Sequence, residues 1–113
     1  MARRSTSEVV VIMWRDIPAQ VNGRAGEERH QVVLARRFQR AIDRAAMVAD
    51  KKTAHEYVAE WRRTSYPVTG ELAPTVEATA ASLEQEFTPE RLQTLIDNGG
   101  WDPASPESER APS

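Results

Sequence analysis

Seven residues, Glu8 to Trp14, decide most of what this chain can fold into. Val9, Val10, Val11 and Ile12 are all branched at Cβ and follow one another without a polar break. Such side chains crowd the preceding turn of a helix and fit a pleated strand. An apolar run that does not alternate reads as a central strand buried on both faces. Arg15-Asp16 ends it. Ile17–Asn22 reads as a second strand, and Pro18, with no N–H for a ladder, belongs at its start, at an edge or in a bulge. Gly23-Arg24-Ala25-Gly26 reads as a hairpin turn, because glycine supplies the positive φ such turns use. Arg29–Val33 then forms a third strand, giving an antiparallel meander.

Beyond Val33 the apolar period changes from two to between three and four. Leu34, Phe38, Ala41, Ile42, Ala45 and Ala49 share one helical face. Thr53 opens a second helix with a capping box to Glu56. Its stripe is Ala54, Tyr57, Val58 and Trp61, and Arg62-Arg63 stands in its last turn. Thr64–Thr69 is extended around Pro67 and offers a fourth, edge strand. Leu72, Val76, Ala80, Leu83 and Phe87 mark a third helix, with Pro74 confined to its first turn. The fourth helix has Thr88 as N-cap, Pro89 at its first position and a Phe87–Leu92 staple, and it ends at Asn98-Gly99-Gly100. The expected fold is α+β: a small antiparallel sheet of three strands, or four with the edge strand, covered by about four helices. Residues 1–7 read as frayed, 8–101 as one domain, and 102–113, rich in proline, serine and glutamate, as a disordered tail.

Composition narrows the function. A chain of 113 residues holds one domain. With no cysteine there is no thiolate nucleophile, disulfide framework or cysteine-based metal site. No apolar run reaches the ~20 residues that span a bilayer, and no signal-peptide pattern opens the chain, so a cytoplasmic location is expected, with no membrane attachment. His30 and His55 are not in a metal-ligand spacing, and no nucleophile elbow, phosphate loop or cofactor motif is present. Glu84 and Glu86 read as a wet helix face. No catalytic residue, metal or cofactor is expected.

Two features suggest binding. Trp14, Arg15, Asp16, Pro18 and Gln20 gather an aromatic, both charge signs, a proline and an amide at a strand break, a composition enriched at interface hot spots. Pro18 predicts an open edge there. The second feature is charge. Residues 1–63 hold 13 Lys or Arg against 8 Asp or Glu, and residues 64–113 hold 2 against 9. Arg36, Arg37, Arg40, Arg44, Arg62 and Arg63 form a candidate anion-binding set on helical faces. Nucleic acid is disfavoured, since the pI is near 5.7 and no nucleic-acid motif appears.

Four segments together resemble the bacterial virulence factor domain family: Trp14-Arg15-Asp16-Ile17-Pro18-Ala19-Gln20-Val21; Arg37-Phe38 with Ala41–Met47; Tyr57 with Glu60-Trp61-Arg62-Arg63; and Leu95-Ile96 with Asn98-Gly99-Gly100. The resemblance runs from about Val9 to Gly100. The same domain is found within the conserved virulence factor C proteins of staphylococci. The resemblance implies an accessory or adaptor domain that binds a protein partner, and genomic proximity in the family points to corrinoid- and tetrahydrofolate-dependent one-carbon enzymes. The alternative is a binding module for an anionic small molecule, such as a folate or a phosphate-bearing cofactor, held by the arginines.

Overall fold

The β-branched run Val9–Ile12 lies in a strand, and the segments of three-to-four periodicity form helices. A computed structural model describes residues 7–51 and 53–103. In chain order these are β1 (Ser7–Trp14), β2 (Ile17–Ala25), β3 (Glu28–Val33), α1 (Arg36–Val48), α2 (Ala54–Val58), β4 (Trp61–Pro67), α3 (Leu72–Glu86) and α4 (Pro89–Asp97). The strands make one antiparallel sheet in the order β3-β2-β1-β4. β1 is interior, as its composition predicts, and Val9, Val10 and Val11 are all buried.

One face of the sheet is covered. α3 lies across β2 and β3 and reaches β1, while α1 touches β2 and packs on α4. Val9, Val21, Phe38, Ile42, Val76, Phe87 and Leu95 belong to a single core. The helix ends follow their local chemistry. Thr53 accepts from the Glu56 N–H and Glu56 reaches back to Thr53. Thr88 caps α4 through the Arg91 N–H. α4 ends with Gly99 at a φ of 68°, its N–H on the Ile96 carbonyl and the Gly100 N–H on the Leu95 carbonyl.

Three expectations are corrected. Trp61, Arg62 and Arg63 do not belong to α2, which closes at Val58; they begin β4. Pairing of β4 with β1 from Trp14↔Trp61 to Glu8↔Pro67 takes these residues from the helical pattern, while the Trp61 ring still meets Tyr57 edge-on at 5.9 Å. Glu84 is not a wet residue: its Oε2 accepts the Ala35 N–H at 2.9 Å and its carbonyl accepts from Arg37, tying α3 to the start of α1. The hairpin turn is Gly26-Glu27, and Gly23 lies within β2.

Gly23 is there for space. A Cβ at this position would press on Val76 Cγ2 and meet Leu72 Cδ1 at 2.9 Å. Val76 is fully buried and stiff at χ1, so it has nowhere to turn. Gly23→Ala is therefore expected to destabilise the fold by about 1–3 kcal/mol, lowering the urea midpoint. An unchanged midpoint would mean that α3 can lift from β2 at no cost.

Residues 1–6 and 104–113 lie outside the described residues, so the expected frayed start and most of the expected tail do too. Asp102, placed at the head of that tail, is tied down: its N–H donates to Asp16 Oδ2 at 2.8 Å and its carboxylate accepts from Arg91.

Candidate functional site

The face of the sheet turned away from α3 is built row by row from cross-strand partners. Antiparallel pairing sets directly opposed residues side by side on one face. The first row runs Arg29, Arg24, Glu8, since Arg24 pairs with both others. The second runs Gln31, Asn22, Val10, Ser65, and the third Val33, Gln20, Ile12, Arg63. A shallow cavity of about 570 Å³ lies over the first two rows, lined by Glu8, Val10, Asn22, Arg24, Arg29 and Arg63 among others. A second, of about 460 Å³, lies over the third row, with Ile12, Val33, Gln39 and Trp61. Asn22 and Arg63 line both, so the two are parts of one surface.

This surface is not the polar face that an exposed antiparallel sheet usually presents. Val10, Ile12 and Val33 stand in it, and Val33 is 67% exposed. Its charge is also one-sided. Arg24 and Arg29 are direct cross-strand partners, an arrangement that costs stability because like charges repel. Glu8 offsets one of them through a 3.1 Å ion pair with Arg24. Arg63 adds a third guanidinium at the far side. The surface can hold carboxylate or phosphate groups over an apolar floor. Among the described residues no group of three or more acidic, histidine or cysteine side chains is placed to hold a metal. His30 Nε2 meets Glu77 Oε2 of α3 at 3.1 Å, and that pair is exposed.

The Trp14–Gln20 segment has a different place. Trp14 is fully buried, stacked on Tyr57 at 5.7 Å, and its Nε1 donates to the Tyr57 carbonyl at 2.8 Å. Arg15 adopts a φ of 53° and lies between the Trp14 and Trp101 rings, 5.2 and 5.0 Å from their centroids. Its Nε bonds Glu60 Oε1 at 3.1 Å and its Nη1 the Gly99 carbonyl at 2.9 Å. Asp16 accepts from Arg62 at 3.3 Å and from the Asp102 N–H, and its own N–H donates to the Gly100 carbonyl. Gly100 is needed at this point, since a Cβ would sit 2.9 Å from the Trp14 ring. The segment thus clasps the end of α4 and the start of β4.

β3 pairs with β2 only from Gln20 onward, so the side of β2 away from β1 is unpaired at Pro18, but Pro18 is fully buried and offers no solvent-open edge to a partner. Met13, opposite Pro18, turns its backbone groups to β4, so the proline nitrogen faces away from β1, past the end of β3, where no ladder bond is lost; a bulge beside it leaves Ala19 without a β1 partner. Of the five residues singled out in this segment, Gln20 alone reaches the uncovered face, where its amide bonds Asn22.

The expected arginine set is dispersed in the same way. Arg37 is held over Phe38 and on the Glu84 carbonyl, and Arg62 is held by Asp16. Arg36, Arg40 and Arg44 are exposed on α1, outside both cavities. Arg63 is the member that belongs to the surface. Arg24 and Arg29, its companions, are missing from that set because Arg24 reads as a turn residue. The available signal was the hairpin itself: a two-residue turn at Gly26-Glu27 sets Arg24 opposite Arg29.

Residues 12–96 match the family described as virulence factor. No curated protein and no solved structure matches the chain. The matched span takes in the whole Trp14–Gln20 clasp, β2, β3, β4 and most of α4, and leaves out Glu8 and Val10 of the uncovered face.

Proposed function

As this chain belongs to the virulence factor family, we propose that it is a non-catalytic accessory domain that docks a protein partner through the uncovered face of its sheet. The observation that carries the reading is the Arg24–Arg29 cross-strand pair beside Val10, Ile12 and Val33. A pair that destabilises the free fold is accounted for by an acidic surface that neutralises it on binding, while the apolar floor supplies desolvated contact. The partner is acidic where it meets this face. The family resemblance makes an enzyme of corrinoid- or tetrahydrofolate-dependent one-carbon metabolism the first partner to test.

The test is capture of a stoichiometric partner by the full chain, compared with the triple variant Arg24→Glu, Arg29→Glu, Arg63→Glu. Capture by the parent protein should weaken with added salt, and the charge-reversed protein should retain none. Equal capture by both proteins, or no stoichiometric partner for either, would sink the reading.

A second reading, an anionic small molecule, draws on the same arginines and on a cavity volume within the usual range for small-molecule sites. It predicts a rise in melting temperature with inorganic phosphate or a tricarboxylate, absent from the charge-reversed protein.

A further inference from the structure

The phase of the β1–β4 ladder identifies a second binding element next to the uncovered face. In an antiparallel pair, residues alternate between those that exchange backbone hydrogen bonds with their partner and those whose N–H and C=O point away. Two bonds at opposite ends set the phase here. The Arg15 N–H donates to the Glu60 carbonyl at 3.2 Å, and the Val68 N–H to the Ser7 carbonyl at 3.0 Å. The register between them is continuous. Thr64 and Tyr66 therefore bond β1, while Trp61, Arg63 and Ser65 aim their backbone groups outward. β4 is an edge strand, and among the described residues no backbone or side-chain group bonds the outward N–H and C=O of Arg63 or Ser65. Arg63 and Ser65 also end two of the rows of the uncovered face.

We propose that an extended, acidic segment of the partner adds to β4 as a fifth strand. It bonds the backbone of Arg63 and Ser65 and sets a carboxylate side chain on the uncovered face opposite Arg63. This rests on the reading of the chain as a partner-binding domain and specifies how the partner is held. Strand addition gives affinity through main-chain bonds and selectivity through alternate side chains. The occupant is acidic because Arg63, the charged side chain where this edge meets the uncovered face, is basic. Arg63 lies on the added strand's own face, and the directly opposed cross-strand position is ~5 Å away, within ion-pair reach. A second copy of this chain is a poorer occupant. Antiparallel β4–β4 pairing would bring two Arg62-Arg63 pairs together, and like charges at cross-strand or diagonal positions repel. The edge is accessible, with Tyr66 51% exposed and Pro67 closing the strand at its far end, where a missing N–H stops the ladder.

The probe is a synthetic seven-residue peptide of alternating glutamate and valine, with blocked ends. It is titrated into the full-length, isotope-labelled protein and followed by amide shifts. Three controls accompany it: the lysine–valine peptide, the acidic peptide N-methylated on alternate residues, and Ser65→Pro. In Ser65→Pro the lost N–H faces away from β1, so the ladder is left whole. The acidic peptide should shift the Arg63 and Ser65 amides, the lysine peptide should not bind, and N-methylation or Ser65→Pro should weaken binding by about tenfold or more. Should Ser65→Pro fail to fold, the N-methylated peptide decides alone. The proposal is overturned if the acidic peptide does not bind, if the N-methylated peptide binds as well, or if shifts stay at Arg24 and Arg29. Concentration-dependent dimerisation, abolished by Ser65→Pro, would overturn it in favour of a second copy. A captured partner that survives Ser65→Pro but is lost on charge reversal at Arg24, Arg29 and Arg63 leaves the docking reading standing and removes this one. Survival through both sets of changes removes both.

Discussion

Trp14→Ala is expected to lower the unfolding free energy by about 3–5 kcal/mol, the range for deleting a buried large aromatic. Trp14 is 0% exposed, and several elements lean on it at once. Its ring stacks on Tyr57, touches the Arg15 guanidinium and closes over Gly100, and its Nε1 holds the Tyr57 carbonyl. Removing the ring leaves a cavity among β1, α2 and the end of α4, and leaves the Tyr57 carbonyl to the longer bond from the Glu60 N–H. Domains of this size have a total stability of only about 5–15 kcal/mol, so the variant should be part unfolded near physiological temperature. Trp14→Phe separates the two contributions. It keeps much of the ring volume and loses the hydrogen bond, so its urea midpoint should lie between those of the parent and the alanine variant. A loss below about 1 kcal/mol for Trp14→Ala would show that the neighbouring chains collapse into the space.

Arg15→Ala is expected to cost somewhat less, about 2–4 kcal/mol, for a different reason. The Arg15 side chain is 11% exposed and that of Glu60 23%, so removing the guanidinium leaves a carboxylate largely out of water with its nearest partner gone. Lys51 stands 3.8 Å from the other Glu60 oxygen and cannot replace a bond at 3.1 Å to Oε1. The Gly99 carbonyl loses its donor as well. Arg15→Lys is expected to recover less than half of the loss. An ammonium is a point charge and cannot bond Glu60 and Gly99 as a fork does while also reaching both the Trp14 and Trp101 rings. Full recovery by lysine, measured by urea unfolding, would mean that charge alone matters and that the fork and the stacking do not. The double change of Arg15 and Glu60 to apolar residues of similar size should cost less than Arg15→Ala, because no carboxylate is left partly buried and Lys51, 31% exposed, can turn to water.

These two residues show why a sequence segment with the composition of a binding hot spot can be architecture instead. Tryptophan and arginine are enriched at interfaces because they bury large areas and bond in fixed geometry. The same properties suit a clasp that fastens a sheet to the end of a helix distant in sequence. Arg15 at a φ of 53° is held there by the bonds it donates to Glu60 and Gly99, residues 45 and 84 positions away. No local reading of Trp14–Gln20 distinguishes the two uses, since the partners that decide between them lie far along the chain.

Local chemistry alone determined much of this protein. The β-branched run made β1 a strand, the three-to-four spacing from Phe38 to Ala45 made α1 a helix, and Thr53, Thr88 and Gly99 placed helix ends, because each of these effects acts within one or two turns. The α+β class and the family resemblance followed from the order of such segments. Tertiary structure decided the rest. Trp61-Arg62-Arg63 is compatible with the last turn of a helix, and pairing with β1 is what makes it a strand. Pro18 lies beyond the last β2–β3 pair, as a residue without an N–H can, and only tertiary packing buries it there. Gly23 suits a turn, and the approach of α3 is what requires it within β2. The candidate site was least legible of all. Arg24, Arg29 and Arg63 stand on three different strands, and whether they share a face depends on register, where a one-residue slip would send every side chain of a strand to the opposite side.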